Sequence, residues 1–599
     1  MPHEQDPAAV EEVRSKVEKA YAAWLTYRHF TQERIDAIVE KIAAAGREHA
    51  RRLAAMAVEE TSYGNADDKV AKNLLAAEWL PRAMRGMKTV GLLREIPEQK
   101  VVEYGVPVGV IAAIVPTTNP TSTAIYKVLI SLKAGNGIVI SPHPHAKKCT
   151  CETAEILAKA AVAAGAPEGI IQCLMNPTLE ATQALMRNER TAVILATGGH
   201  GMVRAAYSSG KPAFGVGPGN VAVLVERSAD IPEAIAKVVE GKSFDYGTVC
   251  SSEQAVVAEE ELRPAITAEL RARQAYFCTS EQQEALGKLL VTPNWTINAK
   301  CVGQSPAKIA QMAGFSVPAG TTVIVAELDG VGKKYPLSVE KLSPVLALYF
   351  VKDHAAALDT CEAVARFGGL GHTSVIYSKD DARIRDFAMR MPTMRVLVNT
   401  PAPHGSVGLT TNVFPSMTLG CGAAAGNSTG DNVGPQHLIN IKRLAYAVRQ
   451  PGEAIQLERT GAAPVRVDRQ TILAAVEKYL ADRGISIDGA GPAPAGIAAP
   501  ESTGAIAAAV VDRFLAVRYA PATPAAAPVP PACFCSAPEK PASAPPAPVV
   551  EVSDFVCEND VRTAMHQSRK IYIGPKTIVT PAARELADRH DILVMAQRE

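Results

Sequence analysis

Cys250 lies in a segment, SFDYGTVCSSEQ (residues 243–254), whose residue types suit a nucleophile. A Gly-Thr pair comes shortly before the cysteine, small residues follow it, and the apolar run 254–258 predicts a strand. A cysteine on a loop that a buried strand anchors can bring its sulfur to a carbonyl carbon. Cysteine is also among the residues most often buried for packing alone, so a structural cysteine is the alternative. If Cys250 is the nucleophile, we expect it to be exposed on its loop.

Other segments carry groups that a cysteine nucleophile needs. Asn119 stands between prolines in PTTNPT (116–121), where its neutral NH2 group can donate to an oxyanion; an ordinary turn asparagine is the alternative. Glu340 opens the segment EKLSPV, and an isolated glutamate of this kind is more often a solvated surface charge. His372, in GLGHTSVI (369–376), precedes a predicted strand, where a functional and a structural histidine are equally well supported.

At Cys250, Asn119 and the EKLSPV segment, the chain resembles the aldehyde dehydrogenases, and specifically their CoA-acylating branch, over residues 10–450. The resemblance implies that Cys250 attacks an aldehyde, while Asn119 and the Cys250 backbone N–H stabilise the oxyanion. It also implies that Glu340 binds the nicotinamide-side ribose and that His372 handles a proton or contacts CoA. The expected substrates are a small aldehyde and CoA, with NAD as cofactor and NADP as the alternative.

The segment FGVGPGN (214–220) bears on how the thioacyl enzyme is released. Hydrolytic relatives carry a glutamate base in the comparable segment, and Gly215 stands about where it would be. A general base contributes ~10²–10⁴-fold to such a step, whereas a CoA thiol is intrinsically nucleophilic and can dispense with one. Acyl-CoA is therefore the predicted product. A hydrolytic enzyme that forms a free acid, a reductive enzyme that acts on an acyl phosphate, and a scaffold that recruits partners through its tail stay open.

Strand-like runs alternate with amphipathic helical runs from about residue 100 onward, which predicts an α/β protein with a doubly wound parallel sheet. By resemblance the fold is that of the aldehyde dehydrogenases: a Rossmann-like cofactor domain, an α/β catalytic domain, a small oligomerisation segment and a flexible C-terminal tail. The turn ATGGHG (196–201) opens a helix whose N-terminus can hold a phosphate; a plain tight turn is the alternative. The predicted cofactor contacts are Thr197, Gly198, Gly199, Pro116, Thr117, Ser141 and Glu340.

The chain divides by composition and resemblance into five parts. They are an NAD-binding domain with N-terminal helices and part of the oligomerisation segment (1–225), a catalytic cysteine domain (226–430), a return and oligomerisation segment (431–485), Pro/Ala-rich linkers (486–551) and a small interaction module (552–599).

Within the linkers, residues 502–518 place Ile506, Val510, Phe514 and Val517 at helical spacing. A short helix between linkers cannot bury its apolar side alone, so it needs a partner surface. The stretch resembles the encapsulation peptides that carry enzymes into bacterial microcompartments; a helix docked on its own enzyme is the alternative.

In the last module, Ser553 and Asp554 are predicted to cap a helix that runs through Met565. Residues 571–573 and 592–594 predict strands, and Thr580 with Pro581 predicts the start of a second helix. By resemblance to modules on other microcompartment-associated proteins, this part docks on a partner and is not a second catalytic domain.

The composition and net charge of the chain argue against two classes of partner. It has 599 residues, 47% hydrophobic content and a formal charge of +1, which argues against nucleic acid or an anionic membrane as partner. Eleven irregularly spaced cysteines predict reduced thiols in the cytoplasm. The resemblance places the protein inside a bacterial microcompartment, with shell or cargo proteins as partners. It also implies a homo-oligomer, a dimer or tetramer, formed through Val102–Tyr104 and the segment 436–446.

One cluster of metal-binding residue types is expected to hold no metal. His143, His145, Cys149 and Cys151 are close in sequence, but prolines interrupt the histidines. The two cysteines stand two positions apart at the start of a predicted helix, so they point to different faces.

Overall fold

The computed structural model describes residues 6–451, 552–567, 569–590 and 592–595. The chain separates into two compact units, Met1–Val465 and Arg466–Glu599. Both are mixed α/β structures, as the sequence predicts. Cys533, Cys535, the candidate encapsulation helix at 502–518 and the rest of 452–551 lie outside the described residues.

The helices of the first unit begin with a cluster before the first strand and then alternate with strands. They are α1 (Pro7–Tyr27), α2 (Gln32–Glu48), α3 (Ala50–Thr61), α4 (Ala66–Leu74), α5 (Leu80–Met84), α6 (Pro120–Lys133), α7 (Lys147–Ala163), α8 (Leu179–Arg187), α9 (His200–Tyr207), α10 (Ile231–Ser243), α11 (Arg263–Ala272), α12 (Ser280–Leu290), α13 (Pro306–Met312), α14 (His354–Gly368), α15 (Asp381–Arg390) and α16 (Ala402–Ser406).

The strands of this unit form three sheets. They are β1 (Gly91–Ile96), β2 (Val101–Pro107), β3 (Val110–Val115), β4 (Gly137–Pro142), β5 (Ile171–Cys173), β6 (Thr191–Thr197), β7 (Ala213–Val216), β8 (Val221–Val225), β9 (Glu253–Glu259), β10 (Tyr276–Phe277), β11 (Ile324–Glu327), β12 (Val345–Val351), β13 (Gly371–Tyr377), β14 (Thr393–Val398) and β15 (Ile439–Ala445).

A five-stranded parallel sheet, in the order β5-β4-β3-β6-β7, forms the predicted nucleotide-binding layer. We call it the cofactor sheet. All residues of β3 and β4 are buried, as are all residues of α6, which follows β3. Continuous apolar strands of this kind are typical of a parallel sheet that helices cover on both faces. Helices cover both faces of the cofactor sheet because its apolar strands cannot face water on either side.

A seven-stranded parallel sheet, in the order β10-β11-β12-β9-β8-β13-β14, forms a second layer, which we call the catalytic sheet. The chain passes from one sheet to the other between Val216 and Val221, whereas the predicted domain division falls after residue 225. A third sheet, β1-β2-β15, is antiparallel and pairs β15 with β2, the two regions expected to make the oligomer contact.

The described part of the second unit contains three parallel strands, β16 (Val552–Val556), β17 (Ile571–Val579) and β18 (Leu593–Met595), with helices α17 (Glu558–His566) and α18 (Pro581–His590). The predicted helix start at Thr580 and Pro581 is confirmed: the Ala583 N–H donates to Thr580 Oγ1 at 3.3 Å. The prediction that Ser553 and Asp554 cap a helix is wrong, because both residues lie in β16 and the helix begins only at Glu558.

The reason for this error lies in tertiary pairing. β16 pairs in parallel with β17, and that pairing extends the chain through residues whose local preference is for a helix cap. The described part of this module buries a small core of its own: Val556, Val561, Ala564, Ile571, Ala583, Ala587 and Ile592.

Candidate active site

The structure brings Cys250 and His372 into direct contact, although they are far apart in sequence. Cys250 lies in the loop before β9, and His372 is near the start of β13, which β8 separates from β9 in the catalytic sheet. Cys250 Sγ is 3.2 Å from His372 Nε2. This is hydrogen-bond distance for a thiol and an imidazole, the pairing from which a base can activate a nucleophile.

His372 is held in one orientation by its neighbours. Its Nδ1 is 3.0 Å from Thr373 Oγ1. The Arg395 guanidinium donates to the His372 carbonyl at 3.0 Å and to the Gly420 carbonyl at 2.8 Å. Complete burial, with Arg395 close by, lowers the pKa of His372 to about 3. The imidazole is therefore neutral, and its Nε2 can accept the thiol proton when Nδ1 carries the ring hydrogen.

Cys250 is half-buried, so the expectation of an exposed cysteine is wrong. It packs against an apolar cluster of Leu75, Val216, Val407, Leu419 and Cys421. Burial, together with Glu340 and Cys421, raises the pKa of the Cys250 thiol to about 12, although Arg395 acts in the opposite direction. At neutral pH the thiol is therefore protonated, and His372 Nε2 is the group in contact with it that can accept its proton.

The backbone around Cys250 is closely packed on both sides. Asp245 and Tyr246 adopt left-handed φ values of 47° and 51°, which are uncommon for residues with side chains. Gly219 lies against the same loop: a Cβ on it would be 2.0 Å from the Cys250 carbonyl oxygen and 3.1 Å from His372 Cγ. Only glycine allows this approach, so Gly219 is a site residue that the motif search did not single out.

Asn119 reaches the Cys250 loop through its amide. It occupies the N-cap position of α6 without making a capping bond, and its Nδ2 donates to Thr118 Oγ1 at 3.1 Å. Its Nδ2 donates to the Thr248 carbonyl at 3.3 Å, two residues before Cys250. Its Oδ1 accepts a hydrogen bond from Lys72 Nζ at 2.7 Å. Lys72 belongs to a buried ion network with Lys69 and Asp245 that sequence reasoning missed.

Glu340 is buried on the other side of Gly219. Its Oε1 accepts the Gly219 N–H at 3.2 Å. Burial raises the pKa of Glu340 to about 8, although Gly219, Lys242 and Lys341 act in the opposite direction. The surface-charge interpretation of Glu340 does not hold, because the residue is 7% exposed. Among the described residues, the hydrogen bond of the Cys250 thiol goes to an imidazole and not to this carboxyl group.

Gly215 lies in β7 with no room for a larger residue. A Cβ there would be 2.7 Å from Val203 Cγ1 and 2.9 Å from Tyr207 Cε2. The Tyr207 hydroxyl also accepts the Gly215 N–H at 2.9 Å. A glutamate base at this position would therefore require its neighbours to move.

Several predicted cofactor residues lie where parallel strands end, as binding in an α/β sheet requires. Pro116 and Thr117 follow β3, and Thr197 ends β6. Gly199 is the N-cap of α9, which no side chain caps, and a Cβ on Gly199 or Gly201 would meet nothing within 4 Å. This open helix N-terminus fits a pyrophosphate, so Thr197, Gly198 and Gly199 suit a dinucleotide.

Ser141 differs from the other predicted cofactor contacts. It is 1% exposed, and its hydroxyl is 2.9 Å from Thr182 Oγ1. That hydroxyl is already engaged, and its role as a cofactor contact stays a prediction. Within the described ranges, no group of three or more His, Cys, Asp or Glu side chains is arranged to hold a metal ion. In the same ranges, no helix is both long and apolar enough to cross a membrane.

Comparison with known proteins identifies the family of the first unit. The aldehyde dehydrogenase family model matches residues 4–410. The bifunctional aldehyde-alcohol dehydrogenase AdhE of Escherichia coli is 44% identical over 441 residues, which cover 73% of this chain and 49% of that protein. The chain thus spans about half the length of the curated relatives that it matches first.

Two solved structures have the same fold. An acetylating aldehyde dehydrogenase from Geobacillus thermoglucosidasius is 48% identical, with a TM-score of 0.74 over 75% of this chain and 99% of that one. A propionaldehyde dehydrogenase from the Clostridium phytofermentans fucose utilisation bacterial microcompartment is 29% identical, with a TM-score of 0.66 over 73% and 98%. With this family model and this fold, the chain belongs to the aldehyde dehydrogenase family.

Proposed function

We propose that this protein is a CoA-acylating aldehyde dehydrogenase, which converts a short aldehyde, CoA and NAD⁺ or NADP⁺ to acyl-CoA and the reduced cofactor. The observation that carries the proposal is the 3.2 Å contact between Cys250 Sγ and His372 Nε2, together with Gly215, whose neighbours leave no space for the glutamate that hydrolytic relatives carry in this segment. The acetylating relative at 48% identity supports the same reaction class.

The first half-reaction forms a thioester on Cys250. His372 Nε2 accepts the thiol proton as the sulfur bonds to the aldehyde carbon, so the negative charge passes to the aldehyde oxygen. The Asn119 Nδ2–H and the Cys250 backbone N–H donate to that oxyanion, and each such donor is worth roughly 10²–10³ in kcat. The chemistry that a bound nicotinamide dinucleotide would supply is a hydride acceptor. Glu340, Thr197, Gly198 and Gly199 are the residues that would hold it, and His372 releases its proton to solvent.

The second half-reaction transfers the acyl group to CoA. The CoA sulfur attacks the thioester carbon, and His372 Nε2 accepts the CoA thiol proton. The bond between the acyl carbon and Cys250 breaks, and His372 returns the proton to the Cys250 sulfur. The same two donors stabilise the second oxyanion. A neutral imidazole is able to act in both halves because it is unprotonated when each begins.

The decisive experiment follows NADH, acyl-CoA and free acid from acetaldehyde or propionaldehyde, with and without CoA. We expect NADH formation beyond the first turnover to require CoA and to be matched by thioester. Steady NADH formation with free acid in the absence of CoA would show a hydrolytic enzyme and overturn the proposal. The same assay with NADP⁺ in place of NAD⁺ ranks the two cofactors.

We also propose that the tail places this enzyme in a bacterial microcompartment. The support is the solved relative from such a compartment and the helical spacing in residues 502–518. A fluorescent protein fused to residues 486–599 should co-purify with assembled shells, and the same fusion with Val510 and Phe514 changed to Glu should not. Equal co-purification of the two fusions would contradict a role for the apolar side of this stretch.

The antiparallel sheet is the proposed contact between subunits of a homo-oligomer. Among the described residues, its strand β15 pairs with β2 on one side only, and Ile441 and Leu444 are 44% and 42% exposed. A free edge with exposed apolar side chains is a template for pairing with another chain. Changing Ile441 and Leu444 to Lys should shift the protein to a smaller species in light scattering. An unchanged mass would place the contact elsewhere.

A further inference from the structure

We propose that Lys72 is a positioning residue that fixes the orientation of the Asn119 amide and, through Asp245, ties it to the loop that carries Cys250. This inference rests on the proposed function, since it assigns Asn119 a developing oxyanion to stabilise. Three separate parts of the chain meet in this network: helix α4, the turn between β3 and α6, and the segment before Cys250.

Lys72 determines which end of the Asn119 amide faces the reaction. An ammonium group has three N–H donors and no acceptor, so only the carbonyl end of an amide can face it. Lys72 Nζ donates to Asn119 Oδ1 at 2.7 Å. The Asn119 NH2 group must then point the other way, where it donates to Thr118 Oγ1 at 3.1 Å and to the Thr248 carbonyl at 3.3 Å. The longer of these two bonds is the one that an oxyanion would replace. A flipped amide would set two donors against each other.

All three N–H donors of Lys72 have acceptors within this network. Besides Asn119, it donates to Thr248 Oγ1 at 3.0 Å and forms an ion pair with Asp245 Oδ2. Its three donors thus have three acceptors, and the side chain is 3% exposed. Burial lowers the pKa of Lys72 to about 8, with Asp245 acting in the opposite direction. At neutral pH, Lys72 is therefore mostly charged, and its charge polarises the amide, which strengthens the N–H donor.

Asp245 is the residue that anchors this network to the rest of the fold. Asp245 accepts the Asn65 N–H at 2.8 Å, binds Lys69 Nζ at 2.9 Å and binds the Thr248 hydroxyl at 2.6 Å. A Cβ on Gly64 would lie 1.7 Å from Asp245 Oδ1, so the backbone before α4 closes directly on this carboxylate. The left-handed turn at Asp245 is thereby held in place, and the distance between Asn119 and the Cys250 loop is set.

Lys69 provides a matched control for Lys72. It stands one turn earlier on α4, is 2% exposed, and also binds Asp245, but its other contact is the Thr118 carbonyl at 3.0 Å and not the Asn119 side chain. Lys69→Met and Lys72→Met therefore each remove one buried ammonium and leave the other to neutralise Asp245. They differ in whether the amide of Asn119 keeps its partner.

The experiment measures NADH formation by the full chain in a stopped-flow instrument, with saturating cofactor and varied aldehyde. We expect Lys72→Met to lower the rate constant of the first turnover about 10- to 100-fold, with the aldehyde KM changed less than about twofold, because an oxyanion donor acts in the transition state. Lys69→Met should lose less than about threefold. Thermal unfolding of both variants checks that they are equally destabilised.

A double-mutant cycle with Asn119→Ala separates positioning from general damage. In the Asn119→Ala background, Lys72→Met should cost less than about twofold, because the amide through which it acts is gone, whereas the cost of Lys69→Met should be unchanged. Equal losses for the two lysine variants, or a full additional loss from Lys72→Met in that background, would overturn the inference. If either Met variant fails to fold, Lys72→Gln and Lys69→Gln make the same comparison with a polar side chain, and equal losses contradict the inference in the same way.

The assay distinguishes failure of this inference from failure of the proposed function. NADH is formed in the first turnover whether the acyl group passes to CoA or to water. The identity of the wild-type product tests the proposed function, and the difference between the two lysine variants tests the role of Lys72.

Discussion

The two parallel sheets of the first unit contribute opposite edges to the site. The cofactor sheet contributes its carboxyl edge: Pro116 follows β3 and Thr197 ends β6. The catalytic sheet contributes its amino edge: Cys250 precedes β9 and His372 is the second residue of β13. Asn119 comes from the first edge and contacts the loop of the second.

The two edges offer different kinds of groups. At the cofactor sheet, Gly199 is exposed and α9 presents a helix N-terminus without a side-chain cap, which suits an anion that must bind and leave. At the catalytic sheet, His372 and Glu340 are buried and carry shifted pKa values. A dry environment strengthens each electrostatic contact with the reacting atoms. The edge of the cofactor sheet therefore suits a ligand that binds and leaves, and the edge of the catalytic sheet suits groups that take part in the reaction.

The largest expected effect is at the catalytic edge. Cys250→Ala should lower NADH formation at least about 10⁴-fold, because no covalent intermediate can form without the thiol. Steady-state absorbance at 340 nm measures it, with Cys278→Ala, at a half-buried cysteine outside the site, as the matched control. Retained activity in Cys250→Ala would move the nucleophile elsewhere.

His372→Gln should lower kcat/KM about 10²- to 10⁴-fold, because a glutamine of similar size cannot accept the thiol proton. His29→Gln, at an exposed position after α1, serves as the control and should change the rate less than twofold. A loss below about threefold in His372→Gln would reduce His372 to a structural residue of β13.

The pH dependence of Cys250 alkylation tests whether burial keeps the thiol protonated and the His372 imidazole neutral. The thiol pKa is raised to about 12 and that of His372 is lowered to about 3, so between pH 7 and 10 the ground state is a thiol beside a neutral imidazole. The thiolate fraction rises tenfold per pH unit below the thiol pKa. The iodoacetamide rate constant of the free enzyme, with Cys250→Ala subtracted, should therefore rise about tenfold per unit. A plateau above pH 6 would instead show a thiolate–imidazolium pair.

A substitution at the edge of the cofactor sheet should weaken cofactor binding and leave the chemical step unchanged. Gly199→Asp places a carboxylate at the N-terminus of α9, where φ of −64° admits any side chain and a Cβ meets no neighbour within 4 Å. We expect the KM for NAD⁺ to rise about tenfold through repulsion of the pyrophosphate, with kcat at saturation within twofold. Gly199→Asn is the uncharged control. Equal KM values for Asp and Asn would place the phosphates away from this helix.

The smallest effect is expected from the tail. Removal of residues 501–599 should leave kcat/KM for acetaldehyde within twofold, since the residues of both edges lie before Gly430. The assay of acyl-CoA formation used above measures it. A loss beyond tenfold would mean that the tail takes part in catalysis or in the stability of the first unit.

The sequence predicted most of the parallel sheets, because long apolar runs alternating with helices have few other ways to bury themselves. The turn at Thr197–Gly199 and the strand after Cys250 are where periodicity places them. The module at the C-terminus was predicted less well, because its strands are short and β16 is defined by pairing with β17. The cap prediction at Ser553 therefore followed a local preference that a long-range contact overrides.

Residue types and motif order by themselves determined the family. They also predicted Cys250 as the nucleophile and Asn119 as an oxyanion donor, because these roles depend on chemistry that one side chain carries wherever it lies. Only the tertiary structure decided that Cys250 is half-buried against His372, that Gly215 has no space beside it, and that Lys72 holds Asn119. Lys72 sits in an ordinary polar helix, A-D-D-K-V-A-K-N-L, with no local feature that marks it. The burial of a side chain, its orientation and its hydrogen-bond partners depend on how distant segments pack, so only the folded chain specifies them.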